Sequence, residues 1–262
     1  MVRLVRLLAL SLLLSSCGVK EDRQECPCWL RLVPDPCRTI ADDVVISAWS
    51  DDLTDRYFRD SVHIPDHPEY YEHEVPRGQV RLCVYAGVGE NVDEGSRIMI
   101  PYGQDFDRVH AYIGSLPCKD EFCRDTIRLS KQFATVFVRV RKSGEENYPY
   151  IYNLEGDVAG LDLLTLQPLP GEFRHEITFN DRNVGSVDLP RHAEDGGGLV
   201  LNIVHKGIAV ERIDLSGMLK AVNYDWTSED LEDIHVEVDY EETSVSLSIS
   251  GWKEGEKQEI VL

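Results

Sequence analysis

Residues 79–87, QVRLCVYAG, decide the fold class. Val80, Leu82, Val84 and Ala86 share one parity, and Arg81, Cys83 and Tyr85 share the other. Strict alternation over eight residues predicts a half-buried β-strand, because successive side chains leave a strand on opposite faces. The preceding Val75-Pro76-Arg77-Gly78 reads as a turn that hairpins this strand to Tyr70–Glu74. Similar short runs lie at Trp29–Val33, Val44–Trp49, Val109–Ile113, Thr135–Arg141, Ile151–Leu154, Glu176–Phe179, Val184–Leu189, Leu199–Val204, Ile208–Ile213, Ile234–Tyr240 and Ser244–Ser250. Many short strands punctuated by turns predict an all-β chain built of β-sandwiches. Helical signal is confined to Leu215–Val222 and to one turn at Ser228–Asp233, with Ser228 as N-cap. No βαβ rhythm is present, which excludes a parallel nucleotide-binding sheet.

The chain of 262 residues suits two domains, and its 42% apolar content supplies cores for both. The boundary is placed near Leu129–Lys131, giving an N-terminal sandwich at 26–129 and a C-terminal sandwich at 130–262. No short-period repeat is visible, although the two halves can still share a fold. The net charge of −20 repels phosphate backbones, so nucleic acid is excluded as a partner.

The first residues carry an export signal. Arg3 and Arg6 precede an apolar run, Leu4–Leu14, that is too short to span a bilayer, which takes about 20 apolar residues. The run ends Leu14-Ser15-Ser16-Cys17, which resembles a bacterial lipobox. The expectation is a signal peptide at 1–16, a diacylglycerol on the Cys17 thiol, and a polar tether at 17–25. Each buried lipid CH₂ contributes about 0.8 kcal/mol, so several acyl chains hold a protein firmly. Lys20, Glu21 and Asp22 follow directly and resemble the acidic signal for surface export of lipoproteins; a charged leader also simply faces water.

With Cys17 lipidated, Cys26, Cys28, Cys37, Cys83, Cys118 and Cys123 remain as candidates for disulfides outside the cytoplasm. Six cysteines allow 15 pairings, and sequence alone does not choose. Cys118 and Cys123 are near enough to close a small loop; Cys26, Cys28 and Cys37 can staple the first strand to a neighbour. Cys26-Pro27-Cys28 is C-x-C with no matching C-x-x-C, so zinc is not expected.

Catalytic motifs are lacking: no G-x-S-x-G, P-loop or H-E-x-x-H is present, and no enzyme, cofactor or metal is expected. Gly196–Gly198 lacks the lysine and helix of a phosphate cradle. His63, His67 and His73 lie among Glu69, Glu72 and Glu74, at spacings that match no common metal site. Asp181, Asn183 and Gly185 lack the sixth-position glycine and twelfth-position glutamate of a calcium loop. Trp49, Tyr70, Tyr71 and Trp226 are candidate sugar-stacking platforms, although aromatics in strands are usually core or cross-strand partners.

Three stretches, LSKQFATVFVRV (129–140), YDWTSEDLEDIHVEVDY (224–240) and VSLSISGWKEG (245–255), resemble the fimbrillin-associated anchor lipoproteins of Bacteroides-type bacteria. These are the FimB-like and Mfa-like accessory subunits of type V fimbriae. Cys26-Pro27 running into a first strand, and PRGQVRLCVYAGV (76–88), are similar to the same family. The resemblance implies two transthyretin-like β-sandwiches, an outer-membrane location, and fimbrillin or another accessory subunit as partner. It implies a role in holding or limiting a fimbrial polymer. The cysteine count exceeds the family pattern. The alternative is a surface lipoprotein that binds glycan or a host protein.

Strand exchange gives this resemblance a physical content. A sheet with a vacant edge accepts an extended segment from its neighbour. In shaft fimbrillins, by resemblance, proteolysis removes an N-terminal strand to open such a groove. Here Trp29–Val33 lies just downstream of Cys17, so cutting it away would cut the tether. An anchored subunit is therefore expected to keep this strand. Glu259–Leu262 can pair in its own sheet or be offered to another subunit; in-sheet pairing is the expectation.

Overall fold

The structure is a computed structural model that describes residues 26–35, 41–141, 150–194, 196–239 and 244–249, and the backbone of 258–261. It forms two β-sandwiches in tandem.

In the first, β1 (Cys28–Pro34) lies between β4 (Tyr71–Val75), antiparallel to it, and β9 (Phe122–Ile127), parallel to it. The facing sheet runs β10 (Ser130–Lys131), β8 (His110–Cys118), β5 (Gly78–Ala86), β2 (Asp43–Ser50) and β3 (Arg56–His63), each antiparallel to the next. Leu30, Leu32, Ile46, Leu82 and Val84 fill the space between the sheets and are fully buried.

The second sandwich repeats this plan. β11 (Phe133–Arg141) lies between antiparallel β14 (Val184–Pro190) and parallel β17 (Ile234–Asp239), as β1 lies between β4 and β9. Opposite it, β12 (Tyr150–Asp162) pairs with β13 (Gln167–Glu176) and β15 (Val200–His205), and β15 with β16 (Ile208–Asp214). The order β16-β15-β12-β13 matches β8-β5-β2-β3. The second sandwich differs by two strands beyond β17, β18 (Ser244–Ile249) and β19 (Gln258–Val261). Thus the C-terminal strand pairs within its own sheet.

The division at 129/130 is crossed in both directions. β10 pairs with β8 of the first sandwich. A hairpin of the N-terminal half, β6 (Val92–Glu94) and β7 (Arg97–Met99), joins the second sandwich, pairing with the far end of β12 at Gly160↔Met99, Leu161↔Ile98 and Asp162↔Arg97. A side chain at Gly160 would put its Cβ 2.2 Å from the Ile98 carbonyl oxygen, so this crossing needs a glycine.

This hairpin corrects the reading of 79–87. The strand is buried on both faces, not one. Val80, Leu82, Val84 and Ala86 face the first core. Cys83 and Tyr85 pack with Ile98, Phe106, Leu161 and Leu163 in a separate cluster at the joint between the sandwiches. Arg59 reaches Asp93 across this joint at 2.7 Å, and Arg108 reaches Asp188 at 2.8 Å.

The helix expected at Leu215–Val222 is α1 (Leu215–Ala221). The Asp214 carboxylate caps it by accepting from the Gly217 N–H at 2.9 Å, and Asn223 leaves it with a left-handed φ of 53°. Ser228–Asp233 is not helical. Its acids are used otherwise: Asp230 accepts from the Lys131 N–H at 2.7 Å, and Asp233 pairs with the Lys131 ammonium at 2.5 Å. Glu176–Phe179 is not a strand either, since β13 ends at Glu176. Beyond it the Ile177 N–H donates to the Tyr152 carbonyl of β12, and the Phe179 ring packs edge-on against the Tyr152 ring at 4.9 Å.

Candidate functional site: the first strand and the thiols at its root

The first strand is locked into its sheet on both edges and both faces. Its ladder pairs five residues with β4 and six with β9. On the inner face Cys28, Leu30 and Leu32 are fully buried. Burial of a leucine side chain contributes about 1.5–3 kcal/mol. On the outer face Arg31 donates through Nε to Glu72 at 2.5 Å. Its guanidinium carbon lies 4.1 Å from the Phe122 ring centre and 4.9 Å from that of Tyr70. Arg31 thus ties β1 to both neighbours, by an ion pair on one side and a cation–π contact on the other. Its hydrogen bond to the Glu72 carboxylate raises its pKa.

At the root of this strand three cysteines converge. The sulfurs of Cys28, Cys118 and Cys123 all lie within 4.8 Å of one another. Cys28 opens β1, Cys118 closes β8 and Cys123 lies at the start of β9, so the cluster bridges the two sheets. Cys28 and Cys118 are fully buried; Cys123 is partly exposed. Burial pushes the Cys28 thiol up to about 11, against the pull of the Arg77 charge. Hydrogen bonding to Cys118, then burial, raises Cys123 further.

The other cysteines fall elsewhere. Cys26 is exposed, and Cys83 is buried in the joint cluster beside Ser47. All five described cysteines carry free thiols, and Cys83 has no described cysteine beside it, which departs from the disulfides expected of Cys26, Cys28, Cys83, Cys118 and Cys123. Cys17, Lys20, Glu21, Asp22 and Cys37 lie outside the described residues.

The histidine patch does not converge on a metal geometry among the described residues. His63 pairs with Asp43 at 2.8 Å, and His73 stacks on Phe58 at 3.9 Å. Asp181 and Asn183 belong to a turn organised by the Asn180 side chain, which accepts from the N–H groups of Arg182 and Val184, while Gly185 lies in β14 opposite Val138. Gly196, Gly197 and Gly198 all hold left-handed φ values, and the Gly197 carbonyl accepts from Asp157 N–H.

Two of the four candidate sugar platforms are core residues. Trp226 is 4% exposed, stacked on His192, and Tyr71 is 6% exposed with its hydroxyl on Asp60. The Trp49 ring lies under Arg56, and Tyr70 under Arg31.

Sequence reasoning missed Arg31 and Arg77 and the approach of Cys28 to the other two thiols. The approach depends on the parallel pairing of β1 with β9, strands nearly a hundred residues apart, for which no local signal exists.

Among the described residues no helix is long and apolar enough to cross a membrane. No protein-family model matches the sequence, and no curated protein matches it. Solved structures share its fold. A proposed polysaccharide-binding protein of Bacteroides thetaiotaomicron aligns with a TM-score of 0.65 at 13% identity, covering 90% of this chain and 98% of that one. A proposed adhesin of Bacteroides ovatus gives 0.59 at 10% identity, over 88% and 97%. The fimbrial anchor protein Mfa2 of Porphyromonas gingivalis gives 0.56 at 13% identity, over 87% and 98%. At these identities the likeness is one of fold, and it extends through both sandwiches.

Proposed function

We propose that this chain is a non-enzymatic accessory lipoprotein of a fimbria, tethered to the outer membrane through lipid on Cys17 and facing the cell exterior. It holds the polymer to the cell or limits its growth by contact with fimbrillin or another accessory subunit. The observation that carries this reading is the fate of the first strand. β1 begins at Cys28, eleven positions after Cys17, and is an internal strand of its sheet. A chain spans at most about 3.5 Å per residue, so the tether reaches roughly 40 Å. Cleavage that removed β1 would take Leu30 and Leu32 out of the core, uncover the residues packed against them such as Ile46, Leu82 and Val84, and release the rest of the protein from its lipid. A subunit of this kind keeps its own strand and does not open that groove to a partner. The likeness in fold to a fimbrial anchor protein and to proposed adhesins supports the same reading.

The test is a pull-down from intact native cells. The wild-type protein is expected in the membrane fraction, labelled by palmitate and carrying fimbrillin. Cys17→Ala is expected to lose the label and to leave that fraction. Recovery of a freely secreted, unacylated wild-type protein, or of the membrane form without any fimbrial subunit, would overturn the proposal.

A further inference from the structure

The three thiols at the root of β1 are unusual in number as well as in place. A disulfide uses two sulfurs, and here three stand within 4.8 Å of one another, two of them fully buried. Zinc–sulfur bonds of about 2.3 Å place tetrahedral ligands about 3.8 Å apart. Side-chain shifts on the order of 1 Å therefore bring these sulfurs to coordination distance.

A second observation concerns charge. Arg77 lies in the turn between β4 and β5, flanked by Val75 and Gly78. Val75 is the ladder partner of Cys28, and Gly78 is the ladder partner of Cys118. The turn thus carries Arg77 over the cluster. Its Nε is buried without a hydrogen-bond partner. A disulfide beside a neutral thiol gives this cation no opposite charge. Three thiolates around a divalent ion leave one net negative charge, which one guanidinium balances.

We propose that Cys28, Cys118 and Cys123 form a thiolate site for a soft metal ion of the zinc type, with Arg77 balancing its charge, so that one ion pins the first strand to the facing sheet. Three S–H bonds break, three protons pass to water and three sulfur–metal bonds form; no oxidant is involved. Three sulfurs select zinc, cadmium or copper(I) over magnesium and calcium, which require oxygen ligands. The spacing C-x-C hid the site, because its ligands come from three strands of two sheets.

The test is titration of the full-length protein, purified in detergent with a reductant and without a chelator, using cadmium as the probe. One equivalent is expected to produce the ultraviolet sulfur-to-metal charge-transfer band and to raise the melting temperature. Cys123→Ser, at the partly exposed position, is expected to lose more affinity than the roughly 10–100-fold that removal of an outer partner costs. Arg77→Gln touches no ligand and is expected to keep the one-to-one stoichiometry with affinity about 10-fold weaker. Absence of the band at one equivalent overturns the site. So does alkylation and mass analysis of the protein fresh from its native cells, if two of the three cysteines prove bonded to each other.

Discussion

Arg59 donates to Asp93 at 2.7 Å, and the two residues belong to different sandwiches by strand pairing although both precede residue 100. Asp93 also accepts from the Tyr85 hydroxyl at 2.8 Å and the Gly95 N–H at 2.9 Å. Tyr85 is fully buried, so its hydroxyl depends on this carboxylate and on the Gly95 carbonyl. Asp93→Ala is expected to cost about 2 kcal/mol, within the range for hydrogen bonds to charged groups, discounted for the partial exposure of Arg59. Urea denaturation of the purified protein measures it.

Gly160→Ala is expected to cost about 1–3 kcal/mol, the usual range for forced overpacking. The added methyl meets the Ile98 carbonyl and the Met99 backbone, neither of which is the loose end of a side chain. Hydrogen exchange is expected to show early loss of protection at Ile98 and Leu161 while β1 and β2 keep theirs. Unchanged protection at Ile98 would show that the β7–β12 pairing tolerates the methyl.

His110 and His63 titrate with opposite consequences. Burial lowers the pKa of His110, which sits edge-on to Phe133. The unfolded chain then binds its proton more readily, so this group's contribution is lost as pH falls below the ordinary histidine value of about 6.5. The bond to Asp43 raises the pKa of the exposed His63. Its contribution is present below about 6.5 and is lost as pH rises through the folded value. His110→Gln is expected to lessen the loss of stability on acidification from about pH 7 to 5, and His63→Gln to steepen it. Denaturation midpoints across that window, wild type against each variant, check both signs.

Trp226→Ala is expected to cost about 3–5 kcal/mol, as for other buried aromatic truncations. The indole packs between His192 and Tyr224 at 4.6 Å each, and its backbone carbonyl accepts from the buried Arg191 at 2.8 Å. A thermal melt of the variant measures this directly. A variant as stable as wild type would return Trp226 to the surface reading.

The sequence carried the all-β class because period two is a local property, as in residues 79–87. It did not carry the second buried face of that strand, because Ile98 and Leu161 come from distant segments. Edge strands were the main omission. β3 alternates weakly, with Arg59 and Asp60 adjacent, since one side of it meets solvent. β13 contains Pro168 and Pro170, which an edge strand tolerates. The false helix at Ser228–Asp233 arose from acids that look like a helix start and instead receive Lys131. At the thiol site, Cys118 and Cys123 were legible as neighbours across a short loop. Cys28 was not, because only the sheet order brings it there.

The placement of β1 has a mechanical consequence. Tension entering from the N-terminal side of Cys28 acts along the axis of a strand held on both edges by lengthwise ladders. Its rungs are then loaded together in shear and do not unzip one at a time. A pull from that side meets the joint resistance of eleven register pairs and the Arg31 clasp before any strand can slide.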